Sequence, residues 1–168
     1  FNCATSSNRQ PGSSFKPLLY STALRAGLSP LDVMNDSLIT HDIGYNQSWS
    51  PRNWNDECEG PMSLAYSIMK SKNTIAAQLV MDLGTDELIK NAKSCGIKAE
   101  IKALPSLALG ALEVSPLEQA VLFSCFVNRG IRSEAFVIRQ VEDRFGKKVL
   151  GHQPDQKQVL DPVESYLV

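Results

Sequence analysis

The sequence has no long run of one charge, no internal repeat and no Cys-x-x-Cys pair, and its only histidines are His41 and His152. Each absence removes a class of function. Lysines and acids are interspersed and the net charge is -1, so neither nucleic acid nor an anionic membrane surface is expected as a partner. Cys3, Cys58, Cys95 and Cys125 are widely and irregularly spaced, which argues against zinc and thioredoxin-like chemistry. Cys95 and Cys125 fall within apolar helical patterns, where free cysteine packs as a small hydrophobe. Two disulfides remain arithmetically possible, and cysteine usage does not settle the compartment. The two histidines have no carboxylate or second histidine at ligand spacing, so no metal site and no cofactor are expected. No apolar stretch approaches a bilayer span and no signal peptide opens the chain. Any membrane attachment is expected from segments outside these 168 residues.

Apolar residues make up 43% and charged ones 21%, as in soluble globular domains. The length suits one domain with a real core. A helix is expected after Pro11-Gly12, running through Phe15, Leu18, Leu19 and Leu24, with Gly27 as its left-handed cap. Residues 31–61 are rich in turn formers and read as a long irregular segment, which in a compact domain is usually functional or wraps a surface. Helices are expected from Ser63 to about Lys70, from Thr74 to about Leu83, and from Asp86 to Ser94 with Thr85 as N-cap and Gly96 as terminator. Ser115-Pro116-Leu117-Glu118 is a capping box with proline at the first helical position. The helix that it opens is apolar on most faces and is expected to be buried. Phe136-Val137-Ile138 and Val141, then Arg144-Phe145-Gly146-Lys147 and Val149-Leu150, read as a β-hairpin. A last helix starts at Pro162. The fold class is α+β, mostly helical with a little strand.

Two constellations can carry chemistry. In Ser13-Ser14-Phe15-Lys16 the serine and lysine are three apart and share a helix face. A serine hydroxyl needs a base within hydrogen-bond reach, and a lysine serves if burial lowers its pKa. Ser14 has no lysine three residues on, so Ser13 is the better nucleophile. Ser71-Lys72-Asn73 falls at the break between two helices, where a hydroxyl can relay a proton and an amide can hold a peptide group. Taken singly, each match is weak: the first reads as a capping serine with a surface lysine, the second as helix punctuation.

Together, in this order and about sixty residues apart, the two are the opening parts of the signature of penicillin-binding proteins and serine β-lactamases. The stretches Asn2-Cys3-Ala4-Thr5, Arg9-Gln10-Pro11-Gly12-Ser13-Ser14-Phe15-Lys16-Pro17, Trp49-Ser50-Pro51-Arg52-Asn53-Trp54 and Gly60-Pro61-Met62-Ser63-Leu64 closely resemble the bifunctional class A penicillin-binding proteins. So do Pro105-Ser106-Leu107-Ala108-Leu109-Gly110-Ala111 and Glu113-Val114-Ser115-Pro116-Leu117-Glu118-Gln119-Ala120. The resemblance covers nearly the whole chain. It implies the helical part of a transpeptidase fold with a β-hairpin, most of the central sheet lacking, and a D,D-transpeptidase that cross-links peptidoglycan. Ser13 would be the nucleophile, Lys16 its base, Ser71 a proton relay and Asn73 a substrate-amide ligand. Peptidoglycan stem peptides and β-lactams would be its partners, at the outer face of the cytoplasmic membrane.

The family's third motif, Lys-Ser/Thr-Gly on an edge strand, is absent, and Lys93-Ser94-Cys95 in a helix is the nearest match. Residues 1–168 are therefore expected to be part of a transpeptidase domain, cut before that motif and inactive alone. A β-lactamase or D,D-carboxypeptidase, and a non-catalytic β-lactam sensor, are the alternatives. Glu87-Leu88-Ile89-Lys90-Asn91 mimics a β-lactamase spacing but is expected to be an ordinary solvated helix face. Trp49 and Trp54 read as anchors of the long loop or as the rim of a cleft.

Overall fold

Short helix α1 (Cys3–Ser6) leads to a 3-10 turn over Gly12–Phe15 that runs straight into α2 (Lys16–Arg25); the computed structural model describes residues 1–168. Helix α2 is apolar or small on all sides, and Leu18, Leu19, Tyr20, Ser21, Thr22 and Ala23 are all buried. Such a helix belongs in the middle of a fold, and four of the five later helices and both 3-10 turns pack around it. It ends as expected at Gly27, whose φ is +99°. The Gly27 amide donates to Leu24 and that of Leu28 to Ala23, the paired bonds of a Schellman cap.

Residues 31–63 are more ordered than their turn-rich sequence indicates. Strands β1 (Val33–Asp36), β2 (His41–Asp42), β3 (Ser48–Trp49) and β4 (Gly60–Ser63) form two antiparallel pairs, β1 with β4 and β2 with β3. The β1–β4 pair joins Val33 to Ser63 and Asp36 to Gly60, closing the segment at its neck. Neither strand alternates apolar and polar residues, and Pro61 sits in β4, so the pattern that marks a strand is missing.

Three helices follow: α3 (Leu64–Met69), capped by the Ser63 hydroxyl, then α4 (Asn73–Leu83) and α5 (Thr85–Ser94). Gly84, with φ +83°, both ends α4 and caps α5, so Thr85 is the first helical residue and not the N-cap. Gly96 terminates α5 with a second Schellman pair, its amide to Lys93 and that of Ile97 to Ala92. Lys93-Ser94-Cys95 is thus the end of a helix, as expected.

A second 3-10 turn, Pro105–Leu109, packs on α4 and on the first turn. It ends at Gly110, in the left-handed region at φ +73°. A Cβ there would stand 2.2 Å from the Gly12 carbonyl oxygen, immediately before Ser13. Gly110→Ala is expected to cost at least about 2 kcal/mol, because strain and a backbone clash coincide. A thermal melt checks this; a midpoint within 1 °C of wild type contradicts it.

Helix α6 (Pro116–Val127) starts with the expected capping box between Ser115 and Glu118. Its burial differs from expectation. Only Leu122 and Cys125 are buried, and Leu117, Phe123 and Val127 are exposed. Neighbouring elements cover one stripe of an all-round apolar helix, and apolar sequence records a capacity for burial, not the partner that supplies it.

The remaining strands are β5 (Ile131–Ser133), β6 (Gln140–Glu142), β7 (Lys148–Gly151) and β8 (Gln156–Gln158), before α7 (Pro162–Leu167). The expected hairpin is β6–β7, shorter than the apolar pattern, since Phe136–Ile138 precede the strand. Strands β5 and β8 pair outside it. All four sheets are two-stranded, so the chain is α+β with helices supplying the core. Glu164 on α7 receives the Ser21 hydroxyl and pairs with Arg25 at 3.2 Å, which ties the last helix to α2. All four cysteines are free, with Cys95 and Cys125 buried.

Candidate active site

Lys16 is the first residue of α2 and is only 1% exposed. An ammonium removed from water needs acceptors for its three protons, and it finds three. Nζ donates to the Ser71 carbonyl at 2.6 Å, to the Ser71 hydroxyl at 3.0 Å and to Asn73 Oδ1 at 2.7 Å. Burial nonetheless favours the neutral amine and lowers its pKa to about 8. Three of the four residues singled out from sequence therefore converge on one nitrogen.

Ser13 stands one turn earlier, exposed, in the 3-10 turn. The direct hydrogen bond expected between Ser13 and Lys16 is not made, because Nζ is drawn to oxygens of Ser71 and Asn73. Ser14 is differently placed: its hydroxyl donates to Pro11 at 2.8 Å, and Gln119 on α6 donates to both its oxygens. Ser14 is an anchor of the turn, which leaves Ser13 as the uncommitted hydroxyl.

Backbone geometry explains how Ser71 offers two oxygens to one lysine. Helix α3 ends in a Schellman cap, with the Ser71 amide bonded to Ile68 and the Lys72 amide to Ser67. Ser71 occupies the left-handed position of that cap at φ +54°, where glycine is usual. Its carbonyl and hydroxyl both turn toward Lys16. The strain costs about 1–2 kcal/mol, against about 0.5–1 kcal/mol of extra chain entropy for glycine. Ser71→Gly relieves that strain but also takes one of three acceptors from the buried Lys16 ammonium. It is therefore read against Ser71→Ala, which loses the same hydroxyl and keeps the strain: the glycine variant is expected to melt roughly 1–4 °C above the alanine variant. A glycine variant that melts below the alanine variant would contradict the strain assignment.

Lys72 turns the opposite way, into the protein. Its ammonium pairs with Asp36 at 2.8 Å and Glu59 at 2.7 Å, with Lys72 and Asp36 both buried. Asp36 also receives the Thr74 hydroxyl, the Glu59 amide and Asn53 Nδ2. Burial alone would push the Asp36 carboxyl up; these bonds outweigh it and hold the pKa at about 2. The cluster was not foreseen in the sequence, since Asp36 and Glu59 lie in the segment read as irregular.

The loop aromatics divide. Trp49 is half-buried against the core, with the His41 ring tilted beside it at 6.0 Å between centroids. Trp54 is 90% exposed and lines a cavity beside Lys70 and Ser71. Glu87 is solvent-facing, paired with Lys90 on its own helix. His152 is exposed beside Phe136.

Comparison with known proteins agrees with this arrangement of elements. The model of the penicillin binding protein transpeptidase domain matches residues 1–168. Penicillin-binding protein 2D of Bacillus subtilis is 36% identical over 170 residues, covering 99% of this chain and 24% of the relative. The crystal structure of penicillin-binding protein 1A from Haemophilus influenzae superposes with a TM-score of 0.86 at 36% identity, over 93% of this chain and 24% of that one. The penicillin G acyl-enzyme complex of Mycobacterium tuberculosis penicillin-binding protein A gives a TM-score of 0.87 at 21% identity, over 98% and 43%. This last likeness bears on the fold alone. The chain spans about a quarter of the length of the curated relative.

Proposed function

The chain belongs to the penicillin-binding protein transpeptidase family, and from that premise we propose that Ser13 is the acyl-transfer nucleophile of a peptidoglycan D,D-transpeptidase. The supporting observation is the buried lysine one turn after an exposed serine, bonded to both Ser71 and Asn73. With a pKa of about 8, roughly a tenth of Lys16 is neutral at pH 7, against about three in ten thousand for an unshifted lysine.

In this proposal the neutral Lys16 amine takes the Ser13 hydroxyl proton as Oγ attacks the carbonyl of the penultimate D-alanine. The peptide bond breaks, and the terminal D-alanine leaves with a proton passed through the Ser71 hydroxyl. An amine of a neighbouring stem peptide then attacks the ester and frees Ser13. Asn73 has one Nδ2 hydrogen left after its bond to the Arg52 carbonyl, and that hydrogen is offered to a substrate amide carbonyl. β-Lactams acylate the same oxygen. The reaction takes place on the outer face of the cytoplasmic membrane. The 168 residues alone are expected to be inactive, for want of the third-motif strand that closes the cleft in this family.

Fluorescent penicillin tests the proposal. The full-length protein should label covalently, Ser13→Ala should not, and the isolated chain should label at most weakly. Labelling of Ser13→Ala at the wild-type rate sinks the assignment. A long-lived adduct fits a transpeptidase, whereas release within seconds would favour a β-lactamase.

A further inference from the structure

Helix α4 begins at Asn73 without a capping side chain of its own: Lys72 occupies the N-cap position and makes no cap bond. The first amides of a helix have no intrahelical acceptor, and the start of α4 is enclosed. The acceptor comes from twenty residues away. Asn53 Oδ1 takes the Asn73 amide at 2.8 Å and the Thr74 amide at 3.5 Å, while Nδ2 donates to Asp36 and to the Glu57 carbonyl, each at 2.8 Å. Every donor and acceptor of this buried amide is used. The preceding carbonyl, of Arg52, accepts Asn73 Nδ2 at 2.8 Å. Two adjacent loop residues thus grip Asn73 by main chain and side chain, and leave Oδ1 turned to Lys16.

We propose that Asn53 is a positioning residue for the acyl-transfer site, holding Asn73 so that its side chain meets both Lys16 and the bound substrate. The proposal rests on the transpeptidase assignment for its substrate. Asp36 keeps Lys72, Thr74 and the Glu59 amide when Asn53 is removed, so the loss falls on Asn73 and not on the ion pair. The closed neck of the 31–63 segment returns Arg52 and Asn53 to the helix start, which gives that long excursion a purpose at the site.

The test measures penicillin acylation of the full-length protein as a limiting rate and a binding constant, separately. Asn53→Ala should lower the limiting rate roughly 10- to 100-fold, the scale of a misplaced group, with binding altered less than about threefold. Thr74→Val removes a bond to Asp36 without touching Asn73, and should leave the limiting rate within about threefold. An unchanged rate in Asn53→Ala overturns the proposal; so does an equal loss in Thr74→Val, which would mean that the network acts only through stability. If Asn53→Ala does not fold, Asn53→Ser is used, since its hydroxyl is too short to reach both Asp36 and the helix start. Should the wild-type protein not be acylated at all, the transpeptidase assignment fails instead. The side-chain amide protons of Asn73, followed by NMR in the full-length protein, then decide the positioning role: their shifts should move in the Asn53 variant, and unmoved shifts overturn it.

Discussion

Replacing Lys16 with methionine is expected to slow penicillin acylation of the full-length protein by about 1,000-fold or more. A positioned base contributes typically 100- to 10,000-fold, and no other amine bonds to Ser71 and Asn73 together. The pH dependence gives a sharper check. Because burial lowers the Lys16 pKa to about 8, acylation should rise about tenfold per pH unit below 8 and level off above it. Stability should respond as well. Between pH 8 and 10.5 the unfolded chain holds the lysine proton and the folded one has released it, so stability rises with pH through that window. The gain is fully present above 10.5 and lost as pH falls through 8, and it amounts to about 3 kcal/mol. The methionine variant should lack this slope. At neutral pH its stability should lie within about 2 kcal/mol of wild type, since losing a desolvated charge offsets the stranding of three oxygen acceptors. Acylation of the variant at a tenth of the wild-type rate or faster would remove Lys16 from the mechanism.

The second large effect concerns stability. Asp36→Ala leaves a buried ammonium with only the half-exposed Glu59 as counter-ion, and strands the Thr74 hydroxyl and Asn53 Nδ2. Breaking a buried pair from one side costs about 3–5 kcal/mol, a large share of a domain's roughly 5–15 kcal/mol. The melting midpoint should fall by roughly 6–20 °C. The double variant Asp36→Ala, Lys72→Met should recover a good part of that loss, because the lone charge is gone. If the double variant melts lower than Asp36→Ala, the ion pair is not the origin. Acid gives the matching sign: with its folded pKa held at about 2, Asp36 contributes stability that is present above about pH 4 and lost as pH falls through 2.

Local signals in this chain were readable and pairings across distance were not. Gly27, Gly96, Ser115 with Glu118 and the proline of α7 marked helix ends correctly, because a cap is decided within a few residues. The Gly84–Thr85 boundary moved by one residue because a glycine served both neighbouring helices. Strands β1 and β4 were hidden since their pairing joins unpatterned residues about thirty apart. At the site, Lys16 and Ser71 could be named, but their mutual bond could not. A three-residue spacing pointed Lys16 at Ser13, whereas the folded chain supplies stronger acceptors from a second helix break. Asp36 and Asn53 read as turn formers and nothing more specific, since a polar residue in a turn-rich stretch resembles any other until the tertiary fold buries it. Ser71-Lys72-Asn73 had been open between helix punctuation and a functional turn. It is punctuation in its backbone, with side chains aimed at Lys16 and into the buried cluster.

That Schellman turn also sets what directed evolution would do to this protein. Among replacements that give up the hydroxyl, a library selected only for heat tolerance would settle on glycine at position 71, where the backbone already adopts the left-handed conformation. Such a survivor would be relaxed in its backbone and worse at its chemistry. Serine carries a backbone strain that its bond to Lys16 offsets, and screens for robust variants should therefore carry an acylation readout from the first round.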